Sequence, residues 1–417
     1  MLHPELTSDR DRRLAGPALE EAVSLAAALP RLEVVGAENV RLPKVQPGLL
    51  FGSGKIEELG ARIKAEEIGL VLIDGPVSPV QQRNLERAWK TKILDRTGLI
   101  LEIFADRART REGVLQVELA ALAYQRTRLV RSWTHLERQR GGLGFVGGPG
   151  ETQIEADRRA IDEAVTRIKR QLAKVVKTRE LHRAARKKVP YPIVALVGYT
   201  NAGKSTLFNH LTGAEVMAKD MLFATLDPTM RALKLPTGLD VILSDTVGFI
   251  SNLPTELVAA FRATLEEVLD ADLILHVRDI AHPDSAAQAE DVHKILDALG
   301  VKETTRMVEV WNKLDLLPEA EADALRNAAA RQEDVLAISA IRGDGFAALH
   351  DTVAALLTPA LTDETVLIPY AEGRARAWLF EQGVVEDEAQ TEDGYELQVR
   401  WTPAQKARFA VLEGAGS

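Results

Sequence analysis

The sequence predicts an α/β multidomain chain, and three observations carry that prediction. Short apolar runs alternate with helical patterns over the first hundred residues, and the same alternation returns from 193 to 357. Between them lie two long helix-forming stretches hinged at GGLGFVGGPGE, 141–151, whose glycines and proline cannot continue a helix. The phosphate-loop pattern GYTNAGKS, 198–205, sits directly between the apolar run IVALV and the helical run STLFNHL. The predicted pieces are an N-terminal α/β domain at 1–105, a basic helical hairpin with a glycine-rich tip at 106–189, a phosphate-loop α/β domain at 190–357 and a small C-terminal α+β domain at 358–417.

The elements follow in order. LEVV (32–35), LVLI (70–73), KIL (92–94) and LILEIF (99–104) read as strands, with helices at 55–68 and 79–90. In the hairpin, Ile154, Ile161, Val165, Ile168, Leu172 and Val175 recur at heptad spacing, and Thr152 with Glu155 reads as a capping box for the second helix. KKVPYP (187–192) reads as a linker. IVALVG, DVILSDT, DLILHV, RMVEVWN and VLAIS are the strands of the third piece. VLIPY (366–370) and YELQVRW (395–401) are strands of the tail, flanking a helix from about 372 to 382.

Composition narrows the function. With 417 residues the chain exceeds one ordinary core. It has no cysteine, which excludes disulfides, thiolate metal sites, iron–sulfur clusters and cysteine nucleophiles. Eight histidines show no paired ligand spacing, which argues against zinc. No apolar run approaches the roughly 20 residues of a membrane helix, and the start lacks a signal-peptide core, so the expected location is cytoplasmic. The net charge of −9 excludes a uniformly basic coat. It is unevenly spread: 126–190 holds 17 Lys and Arg against 7 Asp and Glu, a balance of +10 that leaves −19 elsewhere.

The chemistry is carried by motifs in a fixed order. In Gly198, Tyr199, Thr200, Asn201, Ala202, Gly203, Lys204, Ser205 and Thr206, glycines let backbone N–H groups wrap phosphates. Lys204 would reach the β- and γ-phosphates, and Ser205 would ligate Mg²⁺. Asp245, Thr246, Val247 and Gly248 form a DxxG turn, with Asp245 toward Mg²⁺ and the Gly248 N–H toward the γ-phosphate. Asn312, Lys313, Leu314 and Asp315 form NKxD. Asp315 accepts from N1–H and the 2-amino group of guanine, donors that adenine lacks, so GTP is favoured over ATP. Asn312 would brace the loop and the Lys313 stem would cover the base, while Ser339 and Ala340 would offer an N–H to guanine O6. The switch stretch 222–231, including Phe223, Ala224, Thr225, Leu226 and Asp227, should supply a threonine to Mg²⁺. Both Thr225 and Thr229 qualify chemically. Where Ras-like enzymes carry a glutamine to orient the attacking water, this chain has Phe249. Intrinsic hydrolysis is therefore expected to be slow, and a partner or a rearrangement must supply the missing polar group.

Two patterns read as decoys. Gly142, Gly144 and Gly147 fit GxGxxG with no strand before them, and GSGK, 52–55, resembles half a phosphate loop but has Leu49 and Ile56 at its required Gly and Ser/Thr positions. An ATP-dependent RNA-remodelling activity in 1–188 would need that defective loop to work. The basic hairpin is read as a nucleic-acid-contacting arm over the plainer reading, a solvated coiled coil. Arg138, Arg140, Gly142, Gly144, Phe145 and Gly150 near its tip are candidate RNA contacts, and Trp133 and His135 can stack.

The stretches GGLGFVGGPGETQIEADRR (141–159), GYTNAGKSTLFN, LFATLDPTMR, DTVGFI and WNKLD together resemble the HflX family of ribosome-associated GTPases over nearly the whole chain. The resemblance implies a Ras-like P-loop GTPase domain that hydrolyses GTP with Mg²⁺ and binds the large ribosomal subunit and its rRNA, with the hairpin tip near the peptidyl-transferase centre. It implies splitting of stalled or idle ribosomes under stress, and turnover stimulated by the ribosome. It also implies Thr225 as the magnesium-sensing threonine and makes a hydrophobic residue at the Phe249 position ordinary. The family's tip reads closer to GGxGxRGPGE, whereas here Val146 and Gly147 stand in that region. The expected protein is a monomer with no membrane span and no DNA partner. A large-subunit assembly factor with nucleotide-controlled residence time is the alternative.

Overall fold

The computed structural model describes residues 1–7, 14–139, 149–186, 191–214, 222–223, 229–251, 265–302, 304–358 and 361–414. Two compact units result, Met1–Leu349 and His350–Ser417.

The first unit opens with β1 (Leu2–Leu6), α1 (Ala15–Ala27), β2 (Glu38–Leu42), α2 (Ser53–Ala65), β3 (Leu70–Ile73), α3 (Pro79–Trp89) and β4 (Lys92–Asp95). The four strands pair in the order β2-β1-β3-β4, all parallel, over a core that includes Leu42, Phe51, Ile73, Leu85 and Trp89. Serine begins α3 with a full capping box: Ser78 Oγ accepts from Gln81 N–H, and the Gln81 side chain accepts from Ser78 N–H.

Two expected strands are absent. LEVV (32–35) is irregular, and the edge position goes instead to β2. LILEIF lies inside α4 (Arg96–Arg107), where Leu99, Ile100, Leu101, Ile103 and Phe104 are all buried. A helix covered on most sides shows an unbroken apolar run, which looks like a central strand. Asp95 decides the matter locally, because its carboxylate accepts the Gly98 N–H at 2.8 Å and caps the helix.

Next come α5 (Arg111–Gln139) and α6 (Pro149–Arg186), which pack along each other and bury Ile168. Arg126 Nε lies 3.0 Å from Asp162 Oδ1 across the pair. Asp95 also ties α5 to the sheet, accepting from the Tyr124 hydroxyl at 2.6 Å and from Arg128 Nη1 at 3.0 Å. The second helix begins three residues earlier than its expected cap, so Thr152 sits within the first turn. Pro149 is its first residue, a position where the missing N–H costs nothing.

Then follow β5 (Ile193–Val197), α7 (Lys204–Thr212), β6 (Thr229–Lys234), β7 (Asp240–Asp245), α8 (Glu266–Leu269), β8 (Leu273–Asp279), α9 (Ser285–Leu299), β9 (Arg306–Asn312), α10 (Glu319–Ala329), β10 (Val335–Ala337) and α11 (Phe346–Leu357). The sheet order is β10-β9-β8-β5-β7-β6, parallel except for the antiparallel edge β6. That is a doubly wound sheet, whose ligands sit beyond the carboxyl ends of the strands. One apolar core runs from Leu25, Ile100, Ile103 and Phe104 into Phe223, Phe249, Ile250 and Val268. The rings of Phe104 and Phe223 meet edge to face, 4.6 Å apart.

The second unit carries β11 (Thr362–Ile368), α12 (Gly373–Glu381), β12 (Val385–Gln390), β13 (Tyr395–Trp401) and α13 (Pro403–Gly414). Its antiparallel sheet, β11-β13-β12, packs Ile368, Leu397, Val399 and Trp401 against Leu379 and Phe409. Trp378 and Trp401 flank the Phe409 ring at 5.9 and 5.4 Å.

Candidate functional site

The phosphate-loop pattern forms the turn from β5 into α7. Gly203 stands at the helix start with φ +95°, and a Cβ there would lie 2.2 Å from Asn312 Nδ2. Glycine is required on both counts. Lys204 is buried, and its Nζ donates back to the loop carbonyls of Gly198 at 3.1 Å and Tyr199 at 2.8 Å. Burial is the main reason its pKa falls to about 8, against the upward pull of Asp245. Asn201 takes φ +59° at the exposed crest, Ala202 is buried beneath it, and Thr206 lies one turn into α7.

The DxxG turn runs beside this loop. Ser205 Oγ donates to Asp245 Oδ2 at 2.8 Å, so a hydroxyl and a fully buried carboxylate converge. Both are hard oxygen donors of the kind Mg²⁺ prefers, and the pair fits such an ion. Thr246 Oγ1 donates to Leu196 O at 2.6 Å, and Val247 is buried. Gly248 passes so close that a Cβ would meet Thr200 Cγ2 at 2.7 Å and Lys204 Nζ at 3.0 Å. Phe249 is pinned to the phosphate loop by its backbone: Thr200 N donates to Phe249 O at 2.7 Å and Phe249 N to Gly198 O at 3.1 Å. Its ring is buried in the core and offers no hydrogen bond.

The third motif closes the site. Asn312 Nδ2 donates to Ala202 O at 2.8 Å, and Asn312 Oδ1 accepts from Ala340 N at 2.9 Å. One side chain thus joins the phosphate loop to the loop after β10. Ser339 Oγ donates to Asp315 Oδ1 at 2.6 Å. Lys313 takes φ +68°, and its Nζ lies 2.8 Å from Asp279 Oδ2, while Leu314 is buried. His210 adds a contact that the sequence did not signal, with Nδ1 3.1 Å from Ala340 O.

The phosphate loop, DxxG, NKxD and Ser339-Ala340 therefore come together at the carboxyl ends of β5, β7, β9 and β10. Phe223 lies against Phe104, away from these polar groups, and Thr229 opens β6 opposite Asp245. Ala224, Thr225, Leu226 and Asp227 lie outside the described residues, as do Arg140, Gly142, Gly144 and Phe145. Arg138 is the penultimate residue of α5 and Gly150 the second of α6. At the defective loop, Lys55 is held by Glu38 and by Glu58 at 2.6 Å, and both hydrogen bonds raise its pKa. His276, His293 and Glu309 bring ligand-type atoms within 4.8 Å of one another, a grouping made by the sheet rather than by sequence spacing. Glu309 Oε2 already accepts from Arg278 at 2.6 Å and Trp311 at 2.9 Å, and the guanidinium places positive charge beside any cation there.

A doubly wound sheet with this loop, DxxG and NKxD defines a phosphate-loop GTPase. The chain belongs to the HflX GTPase family. Family models match in succession: GTP-binding GTPase N-terminal at 17–105, GTP-binding GTPase Middle Region at 107–186, 50S ribosome-binding GTPase at 193–313 and HflX C-terminal domain at 324–414. GTPase HflX of Magnetococcus marinus is 48% identical over 408 residues, covering 98% of this chain and 92% of its own length. GTPase HflX of Escherichia coli K12 is 44% identical over 419 residues, covering 100% of this chain and 96% of its own. A solved GTP-binding protein of Sulfolobus solfataricus in complex with GDP aligns over 85% of this chain and 98% of its own at 23% identity, with a TM-score of 0.45. Among the described residues no helix is long and apolar enough to cross a membrane.

Proposed function

We propose that this GTPase is a conformational switch that binds the large ribosomal subunit and splits stalled or idle ribosomes, notably under stress. The observation that carries the reading is the pairing, in one chain, of a guanine-nucleotide site with a helical arm whose segment 126–190 has a balance of +10 in a protein of net charge −9. The names of the matched family models add support.

In this reading the loop amides of 198–205 cradle the phosphates, and Lys204 leaves its carbonyl partners for the β- and γ-phosphates. Ser205 and Asp245 would hold Mg²⁺, with Thr225 joining them. The ion supplies positive charge against the transferring phosphoryl group. The Gly248 N–H senses the γ-phosphate, and Asp315 reads guanine from a loop that Asn312 locks to the phosphate loop. Phe249 cannot orient water, so intrinsic turnover is slow and the ribosome supplies the missing polar group. In this reading GTP draws the 222–231 and 245–255 loops toward its γ-phosphate, the basic arm docks on rRNA, and hydrolysis releases both.

Sedimentation tests the reading. Purified protein with a non-hydrolysable GTP analogue should convert whole ribosomes to subunits. Binding only to immature large subunits would replace it with an assembly role. GTP turnover should rise strongly when large subunits are added.

A further inference from the structure

Two largely buried charges outside the phosphate-loop domain reach its nucleotide turns. Glu21 on α1 and Arg96 at the start of α4 form an ion pair, with side chains 12% and 8% exposed. Arg96 Nη1 also donates to Asp74 Oδ1 at 2.5 Å, and Asp74 Oδ2 lies 2.7 Å from His3 Nδ1, so the guanidinium is rooted in the N-terminal sheet.

The other side of the pair faces the nucleotide loops. The Tyr199 hydroxyl donates to Glu21 Oε2 at 2.5 Å, and Ser251 Oγ donates to Glu21 Oε1 at 2.7 Å. Arg96 Nη2 donates to Ser251 O at 3.1 Å and to Ser251 Oγ at 2.8 Å. Ser251 N in turn donates to the Tyr199 oxygen at 2.6 Å. Tyr199 is the second residue of the phosphate loop, and Ser251 stands three residues beyond Gly248. The Gly248 peptide is therefore anchored on both sides: by Thr246 on Leu196 O before it, and by the Tyr199–Ser251–Glu21–Arg96 cluster after it.

A buried ion pair is a poor device for stability alone, since apolar residues of similar volume often serve as well. What this one provides is direction. Fixed hydrogen bonds set the angle at which Ser251 and Tyr199 meet the N-terminal domain, where apolar contacts alone would let them slide. Tyr199 also presents its carbonyl to Lys204 Nζ, so the cluster touches the phosphate-binding lysine through one residue.

We propose that Glu21 and Arg96 are positioning residues of the nucleotide site: they set the placement of the Gly248 turn and of Tyr199, and so couple the γ-phosphate to the N-terminal domain. The proposal rests on reading Gly248 as the γ-phosphate sensor. Coupling is reciprocal, so breaking the cluster changes the preference for GTP over GDP. Guanine recognition is spared, because Asp315 and Asn312 hydrogen-bond to none of these residues.

The test is fluorescence titration of the full chain with GDP and with a non-hydrolysable GTP analogue, for wild type, Glu21→Ala, Arg96→Ala and Arg96→Lys. In both alanine variants the ratio of the two affinities should change by about fivefold or more, the lower end of allosteric coupling. Arg96→Lys should restore most of the ratio, which a merely structural loss would not do. Adding Tyr199→Phe to Arg96→Ala should change the ratio by less than about twofold, because both act through one cluster. Ratios within about fivefold of wild type in folded alanine variants overturn the proposal. If those variants do not fold, amide exchange of wild-type residues 92–104 decides: protection should differ between the two nucleotides, and identical protection overturns it. Loss of discrimination in wild type itself, or full GTP binding by Lys204→Ala, would instead sink the site reading on which the proposal rests.

Discussion

The chain contains two glycine–lysine helix starts, GSGK before α2 and AGKS before α7, and they behave in opposite ways. Gly54, which stands before Lys55 as Gly203 stands before Lys204, lies inside α2 without a positive φ, whereas Gly203 precedes α7 at φ +95°. Lys55 is gripped by Glu38 and Glu58, and hydrogen bonding to them raises its pKa. Lys204 is buried against carbonyl oxygens, and burial lowers its pKa to about 8. The letters G-K do not make an anion site. A left-handed glycine must curl the amides inward, and the lysine must not be committed to carboxylates.

The difference is broken most severely at Lys204. Lys204→Ala should reduce GTP turnover by about a thousandfold, the scale of removing a charge that meets a transferring phosphoryl group. Turnover assays with the purified chain read this. Asp315→Asn should come next, shifting base preference from guanine toward xanthine by about a hundredfold in a competition titration, since an acceptor has become a donor.

A smaller effect should come from pH. Unliganded protein loses the Lys204 proton near pH 8 rather than near its ordinary 10.5. Above pH 8 a polyphosphate must recruit that proton, so nucleotide affinity should fall as pH rises from 8, by about tenfold near pH 9. The folding sign is opposite: the unfolded chain holds the extra proton between these values, so this group's burden on stability lightens as pH rises through the window. Titrations at pH 7.5 and 9 check the first statement. Least of all, Lys55→Ala should leave nucleotide affinity within about twofold and cost about 1 kcal/mol or less in a melting experiment, as partly exposed ion pairs do. A large loss of affinity there would erase the contrast between the two lysines.

The nucleotide loops were legible because each is a contiguous run placed between a strand and a helix, so spacing alone carries the geometry. The links between them were not. Tyr199 meets Glu21 across 178 residues and Ser251 meets Arg96 across 155, and neither pair leaves a local signature. Residues 99–104 misled because a helix buried on most sides loses its 3.6-residue rhythm. The edge strands β6, TMRALK, and β12, VEDEAQ, escaped notice because outer strands carry charge where inner ones carry apolar side chains. β1 was hidden by Pro4, which is tolerated because β1 pairs with β3 at Leu2 alone, so no ladder bond is needed from Pro4 on that side.

The aromatic side chains have an optical consequence. Only five tryptophans occur in 417 residues, shared among α3, α5, β9 and the second unit. Trp89 donates to Ile56 O inside the N-terminal sheet's core, Trp311 neighbours Asn312 on β9, and Trp378 and Trp401 bracket Phe409 in the second unit. Trp311 is next in sequence to Asn312 of the NKxD motif, so its emission would report on that turn. Variants keeping a single indole would turn the chain's own fluorescence into separate gauges of its regions, with no dye attached.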